Sequence, residues 1–216
     1  MKDFWKDLLE YDPVIESSMR EFRGYLATHR QSICILVGGY AGTGKDSISD
    51  YLTEWHGFTR FAFADPVKKV VKTVYCIQPE HEIYFSDRSL KEVPIPGYGL
   101  SSRQMTQRIG DGIREIAGAD IWCENLWRRY LASNLPTRRI VISDLRRSNE
   151  ATWFDDKFDQ VVRIRLERNG CDGSVGFPNH PTETDRYTVD YAIDNDGTIR
   201  ELHEKIENIL KERELS

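Results

Sequence analysis

Ser32-Ile33-Cys34-Ile35-Leu36-Val37 runs straight into Gly38-Gly39-Tyr40-Ala41-Gly42-Thr43-Gly44-Lys45, and the reading of that junction decides the fold. The apolar run has the length and composition of a buried strand. The glycines after it permit backbone angles that turn successive N–H groups inward, and Lys45 adds a point charge. Asp46-Ser47-Ile48-Ser49-Asp50-Tyr51-Leu52 then reads as a helix, whose positive N-terminal end faces the same anion. Strand, glycine turn, lysine and helix in this order predict a cradle for nucleotide phosphates at Gly39, Tyr40, Ala41, Gly42, Thr43, Gly44 and Lys45. The usual pattern places Ser or Thr directly after the lysine to hold Mg²⁺. Here Asp46 stands there and Ser47 follows, so the metal contact falls to the carboxylate or to the displaced hydroxyl, directly or through water.

Outward from this junction, strand and helix patterns alternate without repeats. Asp12-Pro13 is a good helix start, and Ile15, Met19, Phe22 and Leu26 predict an amphipathic helix over 13–29. Phe58–Phe63 reads as a second strand, and Pro66 opens a helix carrying Val67, Val70, Val71 and Val74. Helices are expected at 103–116 and 120–132, strands at 140–143 and 161–164 with a helix between, and a short strand near Tyr191–Ile193. A closing helix is capped by Thr198 with Glu201 three residues on. Such alternation favours a parallel sheet covered on both faces. The chain divides into an N-terminal extension over 1–30 and a domain over 31–216. Within the domain lie a substrate-loop insertion at about 76–102 and a polar, mobile lid at about 167–186.

With 216 residues the chain suits one domain with a sizeable core, and its net charge of −5 argues against broad nucleic-acid binding. No apolar run has the length of a membrane span, and Met1-Lys2-Asp3-Phe4-Trp5 lacks the pattern of a secretory signal. Cys34, Cys76, Cys123 and Cys171 are far apart with no C-x-x-C pair, which suits reduced thiols in the cytosol rather than a zinc site.

Several residues carry candidate chemistry. Asp144 follows Ile140–Ser143, and ligands of open parallel sheets sit beyond the carboxyl ends of strands. It is a candidate for water-mediated magnesium contact, or a cap for the helix that follows. Asp65 either orients an acceptor or caps the helix at Pro66, and Lys68 either reaches a bound phosphate or is solvated. Arg103 and Gln107 share a helix face: a guanidinium fork matches phosphate, and an amide can read a base edge. Arg138, Arg139, Arg146, Arg147, Arg163, Arg165 and Arg168 crowd a short stretch, of which two or three are expected to touch ligand. His180-Pro181-Thr182-Glu183 lies in the polar stretch and has little local signal.

Taken together these residues resemble the phage-type deoxynucleoside monophosphate kinases, a branch of the P-loop kinases, over nearly everything from residue 33 to 210. The anchors are Gly39-x4-Gly44-Lys45-Asp46, Phe63-Ala64-Asp65-Pro66-Val67-Lys68, Lys91-Glu92-Val93-Pro94 and Ser102-Arg103-x3-Gln107-x2-Gly110. Further anchors are Asp144-x-Arg146-x2-Asn149-Glu150, His180-Pro181-Thr182-Glu183 and Asp194-Asn195-Asp196-Gly197-Thr198. Gly110-Asp111-Gly112 departs from the Gly-Thr-Asp that the family often shows. The resemblance implies a three-layer α/β P-loop NTPase fold, a parallel sheet flanked by helices, with the N-terminal helix and lid appended. It implies transfer of the ATP γ-phosphoryl group to a deoxynucleoside monophosphate, with ATP and Mg²⁺ as cofactors. Lys45 and the turn amides would hold ATP phosphates, with Asp46, Ser47 and Asp144 nearest the metal. Arg103 and Arg146 would hold the acceptor or transferring phosphate, Arg168 would act from the lid, and Asn195 and Gly197 would lie by the adenine. Asp65, Lys68, Lys91, Gln107 and Glu183 complete the acceptor side.

Three rivals differ in acceptor or in class: an animal-type phosphomevalonate kinase, a kinase of a modified pyrimidine within DNA, and a nucleotide-binding module without catalysis. The expected partners are small nucleotides, with no extended nucleic acid and no membrane. A homodimer is compatible with the sequence. The expected location is the cytosol, that of the host if the chain is phage-encoded.

Overall fold

β1 (Ile33–Gly39) is the middle strand of a five-stranded sheet, and both of its faces are buried. In the computed structural model, which describes residues 31–135, 137–171 and 187–215, every strand pairing is parallel. The other strands are β2 (Thr59–Phe61), β3 (Arg139–Leu145), β4 (Gln160–Glu167) and β5 (Tyr191–Asp194), in the order β2-β3-β1-β4-β5. The helices are α1 (Lys45–His56), α2 (Ala64–Val74), α3 (Ile83–Ser86), α4 (Ser102–Ala117), α5 (Ile121–Ala132), α6 (Ser148–Thr152) and α7 (Ile199–Glu212).

Alternation along β1 splits the core in two. Ile33, Ile35 and Val37 pack with Ile48 and Leu52 of α1 and with Leu202, Ile206 and Leu210 of α7. Cys34 and Leu36 face the opposite way, towards Val67 and Val71 of α2, Met105 of α4, and Trp122 and Leu126 of α5. A strand with two buried faces reads as an uninterrupted apolar run, which is the pattern the sequence carries. The result is a three-layer α/β sandwich, a parallel sheet between two helical layers.

The strand order places the crevice. β1 lies between β3 and β4, so the chain leaves β1 towards one edge and passes from β3 to β4 on the other side. Ligands in such sheets bind beyond the carboxyl ends of the strands where the winding reverses. Residues 39–45 occupy that point.

Some boundaries differ from the sequence reading. β3 continues through Asp144 to Leu145, so Asp144 lies inside the strand, and the helix after it is one short turn. α2 begins at Ala64, two residues before Pro66, because Asp144 reaches across from β3. Its Oδ1 and Oδ2 accept hydrogen bonds from the backbone N–H groups of Phe63 and Ala64, both at 2.9 Å. Asp144 therefore caps a helix, but α2 rather than its own successor. The insertion contains α3 and two single 3₁₀ turns, Pro79–His81 and Arg88–Leu90. Thr198 and Glu201 form the reciprocal cap of α7 that their spacing predicts. The predicted helix over 13–29, Glu183 with the rest of the His180–Glu183 motif, and most of the lid lie outside the described residues. Among the described residues no helix is long and apolar enough to cross a membrane.

Candidate functional site

The glycine turn is closed by its own residues. Gly39, Gly42 and Gly44 have φ of 133°, 92° and 101°, values that side-chain-bearing residues rarely adopt. A Cβ at Gly39 would also meet the Leu166 carbonyl oxygen of β4, with Thr43 Oγ1 at 2.8 Å. Lys45 Nζ donates to the carbonyl oxygens of Gly39 and Tyr40 at 2.7 and 2.6 Å, so the ammonium lies across the turn. Beneath the turn, the buried Asn195 side chain donates from Nδ2 to the Thr43 carbonyl at 2.8 Å. Asn195 is thus a strut under the cradle. Gly197 lines neither cleft described below; a Cβ there would crowd the Glu201 carboxylate of the α7 cap.

α2, the insertion, α4 and the end of β3 enclose a chamber of about 240 Å³. Phe63, Val67 and Phe85 give it apolar walls, while Thr106 and Gln107 of α4 present hydrogen-bonding groups. Lys68, Lys91, Arg103 and Arg146 line the same space, and Asp144 is part of it too. Burial first, then the charges of Lys68, Arg103 and Arg88, hold the Lys91 ammonium below its ordinary range, with Asp46 opposing. Crowded like charges of this kind favour a bound anion. The Arg103 guanidinium pairs with Glu92 of the insertion. Asp65, by contrast, does not line the chamber and sits 3.5 Å from the Arg129 guanidinium.

A second cleft, of about 390 Å³, runs from Gly39 and Tyr40 past Arg165 and Arg168 to Asp194 and Asp196. Arg165 stacks over the Tyr187 ring at 4.7 Å and donates to the Tyr187 carbonyl at 3.0 Å. The Tyr187 hydroxyl donates to the Leu145 carbonyl at 3.4 Å and presses on Gly38, where a Cβ would collide with it. Arg146 lines both cavities. Of the clustered arginines, Arg146, Arg165 and Arg168 reach the clefts. Arg139 and Arg163 instead hold backbone carbonyls, of His56 and Ala151 respectively.

The chamber wall also holds a network of Asp111, Arg114 and Glu150 to which sequence analysis gave no role. Glu150, 3% exposed, accepts the backbone N–H groups of Arg146 at 3.0 Å and Arg147 at 3.1 Å, and Arg114 pairs with it at 3.1 Å. Asp111 joins Arg114 at 3.1 Å and Arg147 at 2.8 Å. Burial outweighs these partners and pushes the Glu150 carboxyl up to about 7. Burial likewise raises Asp144 against its two backbone donors. The available signal for Glu150 was its place in Asp144-x-Arg146-x2-Asn149-Glu150; that it lines the chamber is set by the sheet, not by spacing.

The candidate metal residues are dispersed. Asp46 points outwards, its side chain 80% exposed and paired with Arg60 at 2.6 Å. Ser47 lies half-buried in the first turn of α1. Among the described residues no group of three or more His, Cys, Asp or Glu side chains could hold a metal ion.

No family model matches the chain. A mimivirus protein from Acanthamoeba polyphaga mimivirus, described as "Putative deoxynucleotide monophosphate kinase", is 28% identical over 187 residues, which cover 80% of this chain and 94% of that protein. Among solved structures, TT1252 from Thermus thermophilus is 15% identical with a TM-score of 0.46, covering 85% of this chain and 98% of its own. A sugar kinase from Janibacter sp. HTCC2649 is 15% identical with a TM-score of 0.40, covering 86% and 96%. Superpositions this loose say nothing about substrate.

Proposed function

We propose that the chain is an ATP-dependent kinase of small phosphorylated molecules with a P-loop, and that its acceptor is a deoxynucleoside monophosphate. The observation that carries this reading is a pair of cavities joined at Arg146, which is on the wall of both, one of them lined by Gly39 and Tyr40 of the turn and the other by Lys68, Lys91 and Arg103. Two facing anion sites are what phosphoryl transfer between phosphates requires, and the description of the mimivirus relative supports the same acceptor. ATP would lie with its phosphates in the turn and its base in the cleft between Arg168 and Asp194. The acceptor would place its phosphate among Lys68, Lys91, Arg103 and Arg146, and its base between Phe63, Val67 and Phe85. Gln107 would read the base edge. Aromatic walls beside an amide favour a nucleobase over the aliphatic body of phosphomevalonate.

In the reaction an acceptor phosphate oxygen forms a bond to the γ-phosphorus. The bond from that phosphorus to the β–γ bridging oxygen breaks, and its electron pair leaves with ADP. The acceptor is already largely ionised near neutrality, so the protein need not supply a strong base. Its work is to clamp two repelling anions: turn amides and Lys45 on the donor, lysine and arginine side chains on the acceptor. A magnesium ion bound to the triphosphate would neutralise part of its charge; the Ser47 hydroxyl would be its nearest hard oxygen on the protein, with Asp144 acting through water because both of its carboxylate oxygens hold the start of α2. Asp46 would reach that ion only on leaving Arg60.

ATP consumption is measured with each deoxynucleoside monophosphate in turn, beside mevalonate phosphate and duplex DNA. The expected result is a diphosphate product from at least one deoxynucleotide and from neither other acceptor. Turnover only with mevalonate phosphate or DNA would replace this reading by that rival, and stimulation by none would leave a binding module.

A further inference from the structure

Arg88 belongs to the insertion, yet its guanidinium stands on the glycine turn. It opens the 3₁₀ turn Arg88–Leu90, which Asp87 caps by accepting the Ser89 N–H at 2.8 Å and the Ser89 hydroxyl at 2.7 Å. The residues on either side, Phe85 and Lys91, are chamber wall. A Cβ on Gly42 would collide with Arg88 Nη2, with Cζ at 3.4 Å and Cys171 Sγ at 3.1 Å from the same point. Among the described residues no carboxylate pairs with Arg88, and its charge adds to the field of Lys68 and Arg103 on Lys91. An arginine without a counter-ion, packed on the bare face of a glycine and among other cations, is placed for an anion that arrives with a ligand.

We propose that Arg88 grips the terminal phosphate of bound ATP from the acceptor's side of the site. This rests on the kinase reading above. The turn amides and the α1 terminus hold the donor from beneath. Arg88 comes from the loop that walls the acceptor, so the phosphate it meets is the one facing the acceptor, the group that moves. Its positive charge then lies over the oxygens where negative charge gathers during transfer. Placing it on the insertion joins a formed acceptor chamber to a completed donor site. The bare face of Gly42, a residue whose φ of +92° already calls for glycine, leaves the guanidinium room to lie against the turn.

The test uses the full chain with Arg88→Ala and Arg88→Lys, whose folding is checked by circular dichroism. Calorimetric titration with Mg·ATP and Mg·ADP is expected to show about tenfold weaker ATP binding in Arg88→Ala, with ADP binding changed less than about twofold. Turnover should fall by about 100-fold while KM for the deoxynucleotide stays within about threefold, and Arg88→Lys should recover part of both losses. Equal ATP affinity and turnover in Arg88→Ala would overturn the proposal. So would a raised acceptor KM with unchanged turnover, which would place Arg88 on the acceptor phosphate. A wild-type chain that binds ATP but phosphorylates no deoxynucleotide would remove the functional reading, and the ATP-against-ADP comparison would still judge Arg88. Failure of the wild type to bind either nucleotide overturns both.

Discussion

Lys45 Nζ donates to two carbonyl oxygens of the turn, and on the kinase reading a nucleotide phosphate would compete with them for its ammonium. Lys45→Met keeps the stem and removes the charge. Turnover is expected to drop by about 100-fold or more, for a group that stabilises charge in the transition state. The thermal midpoint should fall by about 3–12 °C, since a hydrogen bond from a charged group is worth about 1.5–3 kcal/mol. Asn195 tests the support beneath. Asn195→Ala leaves the Thr43 carbonyl buried without its donor, at a cost of about 1–3 kcal/mol. Weaker ATP binding should accompany the lower midpoint in thermal unfolding. The family resemblance implied a place beside adenine for Asn195; the structure adds that its side chain holds the turn through the Thr43 carbonyl, a contact no local motif reveals.

At the scale of elements, Asp144 ties β3 to the start of α2. An asparagine there keeps one acceptor oxygen but sets an N–H₂ group against a backbone N–H. Asp144→Asn is therefore expected to destabilise the fold by about 1–3 kcal/mol in denaturant titration, and to lower turnover as well because α2 carries Lys68. Much of the element pattern was legible in the sequence, because each signal was local: the apolar run of β1, the glycines after it, the Thr198–Glu201 cap. What was not legible needed distant partners. No window around Pro66 reveals that a carboxylate 80 residues away starts α2 early. Nothing near Arg88 in the chain shows that its guanidinium lies on Gly42. Lys68, Lys91, Arg103 and Arg146, singled out from the sequence, do line one chamber, but the pairing of Arg103 with Glu92 and the turning of Asp65 towards Arg129 come from packing between separate elements.

Across the whole molecule, the buried Glu150 network links the chamber wall to the backbone that follows β3, and its carboxyl is raised by burial. With its carboxyl raised to about 7, the group's contribution to stability is full below the ordinary glutamate range, where folded and unfolded chains both hold the proton. As pH rises the unfolded chain loses that proton first, so the contribution is lost progressively up to about pH 7, on the order of 3 kcal/mol in all. The thermal midpoint of the wild type should therefore decline over that window relative to Glu150→Gln, whose side chain does not titrate. Parallel curves for the two chains would count against the raised carboxyl.

Arg146 has one guanidinium and two cavities to serve. On the kinase reading, the ligand that arrives first would draw that guanidinium from its present partner and so meet part of the cost for the second. Occupancy of one cavity should then sharpen affinity in the other, and thermodynamic linkage demands the same factor in both directions. The pair of cavities would behave as one cooperative receptor rather than two independent ones, with its coupling residing in a single side chain.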